Sequence, residues 1–481
     1  MGTEAAGAAA ARRPRKSRFR DVNMLEGPIF GKMVLYTLPL MFSGILQIFY
    51  NAADVAVVGR FAEDGDAALA AVGSTGALTN LIVGLFTGLS VGSCVVISYF
   101  LGAADNKNVS ETVHTSVATG FIFGLVLAGV GIVFADDLLK LMKNPDDARY
   151  LAALYMRIYF AGMPASMLYN FGSSVLRAKG DTSFPLTVLI ISGAVNVALN
   201  LVTVIGFRMG VAGVASATVA SQIVSAAMVL IHLGRLPESD PCRFSVKLLR
   251  IKPDKLWRIT KVGIPAGIQG VVFSISNVML QSAVNSLGTV AMAGNTAASN
   301  VDGFVYISCN SVYHAAVAFT GQNYGAHKLG RIKKVAGSAV LLVCIIGLTL
   351  GATAFFLAEP LLEIYAPGVD KAAIREYGLL RLHITALTYF MCGLMEVSTG
   401  LLRGLGSSVL PMIISIFGSC VLRIAWIELL FYRIEFFHNM FWLYMSYPIS
   451  WMLTTSVEML VFLIVYRKIM KGERGKLKHT S

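Results

Sequence analysis

Long apolar runs separated by short polar connections occupy most of the 481-residue chain. A helix needs roughly 20 residues to cross the hydrocarbon core of a bilayer, and the chain offers about twelve runs of that length. The alternating pattern of membrane β-strands is absent, so the runs predict helices, the other architecture that satisfies backbone hydrogen bonds in lipid. We expect spans near residues 33–58, 70–101, 112–135, 150–172, 184–206, 211–234, 259–287, 292–323, 335–358, 376–402, 409–433 and 440–466.

Composition supports this class. The chain is 56% hydrophobic and 14% charged, with a mean hydropathy of +0.68. A soluble domain of this size would be far more polar. The sequence therefore predicts an all-α polytopic membrane protein.

The basic residues are sorted to one side of the predicted bundle. The net charge is +13, and the Lys and Arg residues gather in segments 12–20, 235–258, 328–334 and 467–478, while the loops at 63–66 and 136–147 are acidic. With twelve spans, all four basic segments face the same side, so the positive-inside rule predicts that both termini are cytoplasmic. The charge thus indicates membrane topology rather than a nucleic-acid partner, and we expect a multi-pass protein of the cytoplasmic membrane.

The chain also repeats itself. Pro39 in the first span corresponds to Pro265 in the seventh, an offset of 265 − 39 = 226, and the same offset relates LRAKGDTSFP at 176–185 to LRGLGSSVLP at 402–411. Six spans per repeat insert both halves with the same orientation, which predicts two six-helix bundles related by a pseudo-twofold axis, with a substrate site between them. The predicted parts are a basic tail (1–32), a first lobe (33–234), a linker (235–258), a second lobe (259–466) and a basic tail (467–481).

Polar residues inside the first lobe suggest an ion site. The candidates are Tyr50, Asn51 and Asp54 in the first span, Asn196 and Asn200 in the fifth, and Thr218 in the sixth. A carboxylate within the membrane is a functional hypothesis by default, although Asp54 lies six residues from Arg60 and could instead cap an interfacial helix end. Burial beside amides and a hydroxyl can hold a carboxyl near neutrality, so that it exchanges a proton, and the same oxygens can coordinate Na⁺.

The second lobe does not repeat this site, because the offset carries Asp54 to Leu280 and Asn200 to Trp426. It carries its own charges, and the candidate substrate contacts are Asn170, Glu396, Arg423 and Glu428. We expect Glu396 and Arg423 to form an ion pair across two helices, which would leave one carboxylate free for a cationic substrate.

Several chemistries are excluded. The chain has no GxxxxGK[ST] nucleotide motif, and its six cysteines are scattered singly without disulfide or metal spacing. The aspartate pairs near 136–147 are typical of a solvated turn rather than of a metal–diphosphate site. We therefore predict a protein that is not an enzyme and has no cofactor apart from a coupling ion, H⁺ or Na⁺.

Six motifs together carry a family resemblance: LPLMFSGILQIFYNAADVAVVGR, AAVGSTG, LRAKGDTSFP, GVAGVASATVASQ, GQNYGAHKLGR and LRGLGSSVLP. With them, the chain resembles the multidrug and toxic compound extrusion (MATE) transporters over nearly its whole length, and YPISW at 447–451 resembles a bacterial branch. The resemblance implies two lobes arranged as a V, alternating access, and antiport of organic cations against H⁺ or Na⁺. It also implies a cation site at Asp54, Asn196, Asn200 and Thr218, although Asn200 is an amide where many relatives have a carboxylate.

These observations predict a monomeric secondary antiporter that exports amphiphilic, cationic small molecules from a cell. The alternative is a flippase or exporter of a lipid-linked or metabolite substrate in the same superfamily, which would favour a basic central cavity.

Overall fold

The computed structural model of the protein describes residues 21–61, 65–141, 146–365 and 371–479. The basic tail at 12–20, Glu63 and Asp64 lie outside these ranges, and the side chains of Asp66, Asp146 and Asp147 are also outside the description. Within the described ranges the chain is helical and contains no strand. The all-α prediction is therefore confirmed.

Twelve long helical elements follow one another through the described residues. They are α1 (Ile29–Phe61), α2 (Gly65–Gly102), α3 (Asn106–Leu141), α4 (Asp146–Ala161 and Met163–Lys179), α5 (Ser183–Gly206), α6 (Gly210–Gly234), α7 (Pro253–Asn285), α8 (Thr289–Gly325), α9 (Leu329–Phe356), α10 (Lys371–Thr385 and Tyr389–Gly404), α11 (Val409–Phe431) and α12 (Met440–His479). Each contains one predicted span to within two residues.

Most of these elements are long and apolar enough to cross a membrane. Ten of them meet this criterion directly, and α4 makes an eleventh if its two halves, bent by 46°, form one span. The remaining element, α8, is 37 residues long and carries polar residues along its length, among them Asn295, Asp302 and Gln322. A polar face is expected on a span that lines a cavity rather than lipid.

The internal repeat is visible in the turns. Gly180 ends α4 with a φ of 107°, and Gly406 ends α10 with a φ of 82°, at the predicted spacing of 406 − 180 = 226. After each glycine, the next amide donates a hydrogen bond to the carbonyl oxygen five residues earlier, at 2.9 Å in the first lobe and 3.0 Å in the second. Glycine is favoured here because a side chain is strained at positive φ.

Both lobes contribute equivalent helices to the junction between them. Helix α1 packs on α8 and α2 packs on α7, which is the exchange that a pseudo-twofold axis requires. Glycines allow the closest approach: a Cβ atom on Gly88 would lie 2.3 Å from the backbone nitrogen of Gly267, and one on Gly92 would lie 2.2 Å from the carbonyl oxygen of Ile259. The ridge of small residues on α2 therefore serves the lobe junction.

A second set of contacts joins the lobes at the end of the bundle that holds segment 21–28 and the α8–α9 turn, here called the terminal end. Gln322 donates to the carbonyl oxygen of Ala178 at 2.7 Å, and Asn323 donates to that of Met24 at 3.2 Å. Arg331 adds bonds to the carbonyl oxygen of Gly27 at 3.3 Å. The lobes are thus held together at the terminal end.

Replacing Gly88 with Ala should lower the thermal unfolding temperature of the purified protein, because the new methyl group would collide with backbone atoms of α7 that cannot rotate away. Overpacking of this kind costs about 1–3 kcal/mol. Gly84→Ala is the matched control, since one turn earlier on the same helix nothing lies within 4 Å of the added atom. Equal unfolding temperatures for the two variants would contradict the close approach of α2 and α7.

Candidate functional site

Four of the predicted ion-site residues meet inside the first lobe. Asp54 on α1 accepts a hydrogen bond from the Asn200 amide at 2.5 Å through Oδ1, and one from the Thr218 hydroxyl at 3.4 Å through Oδ2. The Asn200 amide also donates to Oδ1 of Asn196 at 3.3 Å, and the Asn196 amide reaches the Thr218 hydroxyl at 3.5 Å. Three helices, α1, α5 and α6, therefore converge on one carboxylate.

Only neutral groups surround this carboxylate among the side chains that the structure describes. Asn200 is fully buried and Asn196 is nearly so. Oδ1 of Asn200 has no hydrogen-bond partner in the described part of the chain, so an acceptor oxygen remains free beside Asp54. The α-helix ends at Asn200 and continues as a π-helical stretch, Leu201–Gly206. Such stretches inside helices occur frequently at functional sites.

The other two candidates of the first span behave differently. The ring of Tyr50 lies directly against Gly193 of α5, where a Cβ atom would overlap it at 1.9 Å. Asn51 is exposed and takes no part in the hydrogen bonds around Asp54. Sequence reasoning also missed Tyr155 and Tyr159 of α4, whose rings stack 5.9 Å apart. Tyr155 packs on an apolar cluster that includes Val58, one turn after Asp54, and Val214, one turn before Thr218.

A cavity of about 730 Å³ lies between the lobes. Helices α2 and α4 of the first lobe and α7, α8, α10, α11 and α12 of the second contribute lining residues, among them Asn170, Glu396 and Arg423. Glu428, the fourth candidate substrate contact, is exposed and does not line this cavity. The structure thus brings three of the four candidates to one space.

The expected ion pair between Glu396 and Arg423 is not formed; this expectation was wrong. Glu396 accepts a hydrogen bond from the Asn310 amide at 3.4 Å. Arg423 donates to the hydroxyl of Ser450 at 2.8 Å and stacks its guanidinium over the ring of Tyr447 at 4.5 Å. An aromatic face attracts a cation, so Arg423 finds its stabilisation on α12 rather than on α10.

An ion pair does exist in the second lobe, between residues that the sequence analysis did not single out. Arg381 donates to Oδ2 of Asp302 at 2.9 Å and to Oδ1 of Asn295 at 2.6 Å. The hydroxyl of Thr385 donates to Oδ1 of Asp302 at 3.0 Å, so both oxygens of this carboxylate are hydrogen-bonded. Both charged side chains are buried. The sequence carried a signal, because Asp302 and Arg381 are charged residues inside predicted spans.

Glu458 of α12 was missed in the same way. It is fully buried and accepts hydrogen bonds from the hydroxyls of Ser415 at 2.7 Å and Thr399 at 3.0 Å. Gln269 donates to Ser415 at 3.1 Å and accepts from Arg403 at 2.7 Å, so a chain of hydrogen bonds leads from the cavity wall to Glu458. No basic side chain forms an ion pair with Glu458 in the described residues.

Comparison with known proteins identifies the family. The sequence model of the MatE family matches residues 39–202 and again residues 265–427, which together make up more than half of the chain. The chain belongs to the MatE family. The two matches begin 265 − 39 = 226 residues apart, the spacing of the internal repeat, and members of the family are transporters rather than enzymes.

Individual relatives agree with this assignment. The MatE chain is 30% identical over 396 residues to the "Probable multidrug resistance protein YoeA" of Bacillus subtilis (strain 168), covering 81% of this chain and 84% of the relative. It is 23% identical over 381 residues to the "Multidrug export protein MepA" of Staphylococcus aureus (strain NCTC 8325 / PS 47), covering 79% and 83%. The solved structure "Crystal structure of MATE in complex with MaL6" has the same fold, with a TM-score of 0.87 at 20% identity and coverage of 94% and 99%.

Replacing Arg381 with Met should destabilise the protein strongly, since Asp302 would be left buried and uncompensated. Removing one partner of a buried pair costs about 3–5 kcal/mol. The double variant Arg381→Met/Asp302→Asn should recover part of the loss, and Arg433→Met, at an exposed arginine, is the control. Thermal unfolding of the four proteins measures this, and an Arg381→Met shift no larger than that of the control would exclude a stabilising role for the pair.

Proposed function

We propose that this MatE protein is a secondary antiporter that exports amphiphilic organic compounds in exchange for an ion bound at Asp54. The observation that carries the proposal is the cluster of Asp54, Asn196, Asn200 and Thr218 within the first lobe. A buried carboxylate with only neutral partners is costly in its charged form. Taking up a proton or a cation removes that cost, so ion binding at Asp54 can stabilise the protein.

The composition of this cluster supports a preference between the two candidate coupling ions, H⁺ and Na⁺. Asn200 supplies an amide, so the cluster has one formal negative charge and hard oxygen ligands around it. One carboxylate attracts Na⁺ more weakly than two would, whereas a proton needs only one. We therefore favour H⁺ as the coupling ion, with Na⁺ as the other outcome of the test.

The substrate would occupy the cavity between the lobes. Glu396 is a carboxylate of the cavity wall without an ion-pair partner among the described residues, and it is suited to meet a cationic group. The names of two relatives, a probable multidrug resistance protein and a multidrug export protein, support the export of drugs.

Alternating access would link the two sites. A transporter of this kind alternates between two states that open to opposite sides of the membrane. The ion and the substrate each shift the equilibrium between these states only if they bind one state more tightly than the other. Helix α1 carries Asp54 and packs on α8 of the other lobe, so a change at the ion site reaches the lobe junction directly. The basic segments of the sequence support a cytoplasmic terminal end, which would make the arrangement described above closed towards the cytoplasm.

Asp54→Asn should abolish export while leaving the fold intact, because the amide cannot be protonated in the relevant range and the cluster loses its one negative charge. The measurement is dye export by the purified protein in liposomes, under pH and Na⁺ gradients imposed separately. Asp137→Asn, an exposed acid of α3, is the matched control. Full export by the Asp54→Asn protein would reject the proposal, and the gradient that drives the wild type identifies the ion.

Glu396→Gln should reduce transport of a cationic dye more than that of a neutral compound of similar size, because only the cation loses a charged partner. Glu428→Gln is the control, since that carboxylate is exposed and away from the cavity. Initial transport rates for both compounds provide the comparison. An equal loss for both would assign Glu396 a structural role.

A further inference from the structure

The walls of the inter-lobe cavity carry more positive than negative charge. Four arginines line it, at positions 177, 381, 403 and 423, against two carboxylates, at positions 302 and 396. The pair of Asp302 with Arg381 is internally neutralised. The remaining groups are three guanidinium groups and the single carboxylate of Glu396.

None of the three remaining arginines forms an ion pair with a carboxylate among the described side chains. Arg403 is held by the hydroxyl of Tyr313 at 2.6 Å and the amide oxygen of Gln269 at 2.7 Å, both neutral acceptors. Arg423 has the hydroxyl of Ser450 and the ring of Tyr447. A buried charge that is only partly compensated is costly, and an anion brought to it recovers that free energy.

Their hydrogen-bonding capacity is not exhausted. Nε of Arg177, Nε of Arg403 and Nη2 of Arg423 are buried and have no acceptor within the described part of the chain. Arg403 is 5% exposed and Arg423 is 3% exposed, so bulk water reaches little of either side chain. Arg177 and Arg403 occupy equivalent positions of the two repeats, 403 − 177 = 226 residues apart, and both line the cavity.

Aromatic rings stand next to Arg423, whose guanidinium group lies 4.5 Å from the ring of Tyr447 and 5.7 Å from the ring of Trp451. The rings of Tyr389 and Trp451 are 5.0 Å apart, and those of Tyr447 and Trp451 are 5.4 Å apart, and all three residues line the cavity. Guanidinium forks recognise planar carboxylates and phosphates, while aromatic faces pack against an apolar ring system. The two features together fit a molecule with an acidic head and an aromatic body.

We propose that the inter-lobe cavity contains an anion subsite, formed by Arg177, Arg403 and Arg423, that binds a carboxylate, sulfonate or phosphate group of an amphiphilic substrate. This inference rests on the proposed function, because it names a chemical group of the exported compound. It extends that function beyond cations: an organic acid meets three arginines, and a molecule with both charges can meet Glu396 as well.

The test is equilibrium binding to the purified full-length protein in detergent, by fluorescence polarisation. The probes are 5-carboxyfluorescein, an anion, and rhodamine 123, a cation, which share a xanthene ring system. Arg403→Gln and Arg423→Gln should each weaken carboxyfluorescein binding at least about tenfold, the loss of one charge-assisted hydrogen bond, and leave rhodamine binding within about twofold. Arg433→Gln, the same change at an exposed arginine outside the cavity, should alter neither constant.

Two further variants keep the test decisive if Arg403→Gln or Arg423→Gln folds poorly. Arg423→Lys keeps the charge and loses the planar fork, so an intermediate affinity for carboxyfluorescein is expected, and Arg177→Gln removes a cation that is less buried. Gel filtration reports whether each protein remains monodisperse. Unchanged carboxyfluorescein binding in all the folded cavity variants, or an equal loss for both probes, would overturn the subsite.

Competition identifies the source of the acidic group. Phenyl phosphate and dihexanoyl phosphatidylglycerol present the same phosphate chemistry, one as a soluble molecule and the other as a lipid headgroup. Displacement of carboxyfluorescein by either compound supports the subsite, and the stronger competitor indicates whether the acidic group comes from a soluble molecule or from a lipid. If neither compound displaces carboxyfluorescein, the subsite is contradicted. Asp54→Asn should retain carboxyfluorescein binding while losing gradient-driven export, so the subsite and the antiport proposal can fail independently.

Discussion

A charged side chain inside a membrane-spanning bundle needs a partner, a wet cavity or a proton, and this constraint explains where the ionisable groups of the chain lie. Asp302 meets Arg381, and the two neutralise each other within the second lobe. Asp54 is surrounded by amides and a hydroxyl, and Glu458 by two hydroxyls. The lobe that retains the ion cluster and the lobe that retains the ion pair therefore satisfy the same constraint by different means.

The two lobes approach closely at their junction. Gly88 and Gly92 bring the backbone of α2 onto α7, and Leu85 and Leu89 of α2 pack in turn on Gly267 and Gly263 of α7. The terminal end adds side-chain bonds to carbonyl oxygens, which are directional and can be replaced by water. Contacts of this kind hold one arrangement and still allow the lobes to part, as alternating access requires.

Much of this architecture could be predicted from the sequence, because lipid permits few alternatives. The spans follow from apolar run length, and the repeat follows from motifs such as the one ending at Pro185 and Pro411. The polar cluster around Asp54, here the proposed ion site, followed from polar residues at helical spacing. Pairing between distant helices did not follow: Arg423 was assigned to Glu396, but its guanidinium group lies over the ring of Tyr447 on α12. The positions of two residues in the chain do not give the distance between them when they lie on different helices. An aromatic partner of an arginine also adds no charge that a search for opposite charges would find.

The two halves share one fold but differ in which polar and charged residues they carry. At the offset of the repeat, Asp54 corresponds to Leu280 and Asn200 to Trp426, so the second lobe holds no copy of the ion cluster. The cavity wall shows the opposite asymmetry, because most of its charged residues come from the second lobe and Arg177 is the charged lining residue of the first. In the proposed mechanism the ion is held within the first lobe and the substrate lies between the lobes, so neither competes directly for the other's ligands. Coupling between them would then pass through the contacts that join the lobes, such as those of α1 with α8 and of α2 with α7.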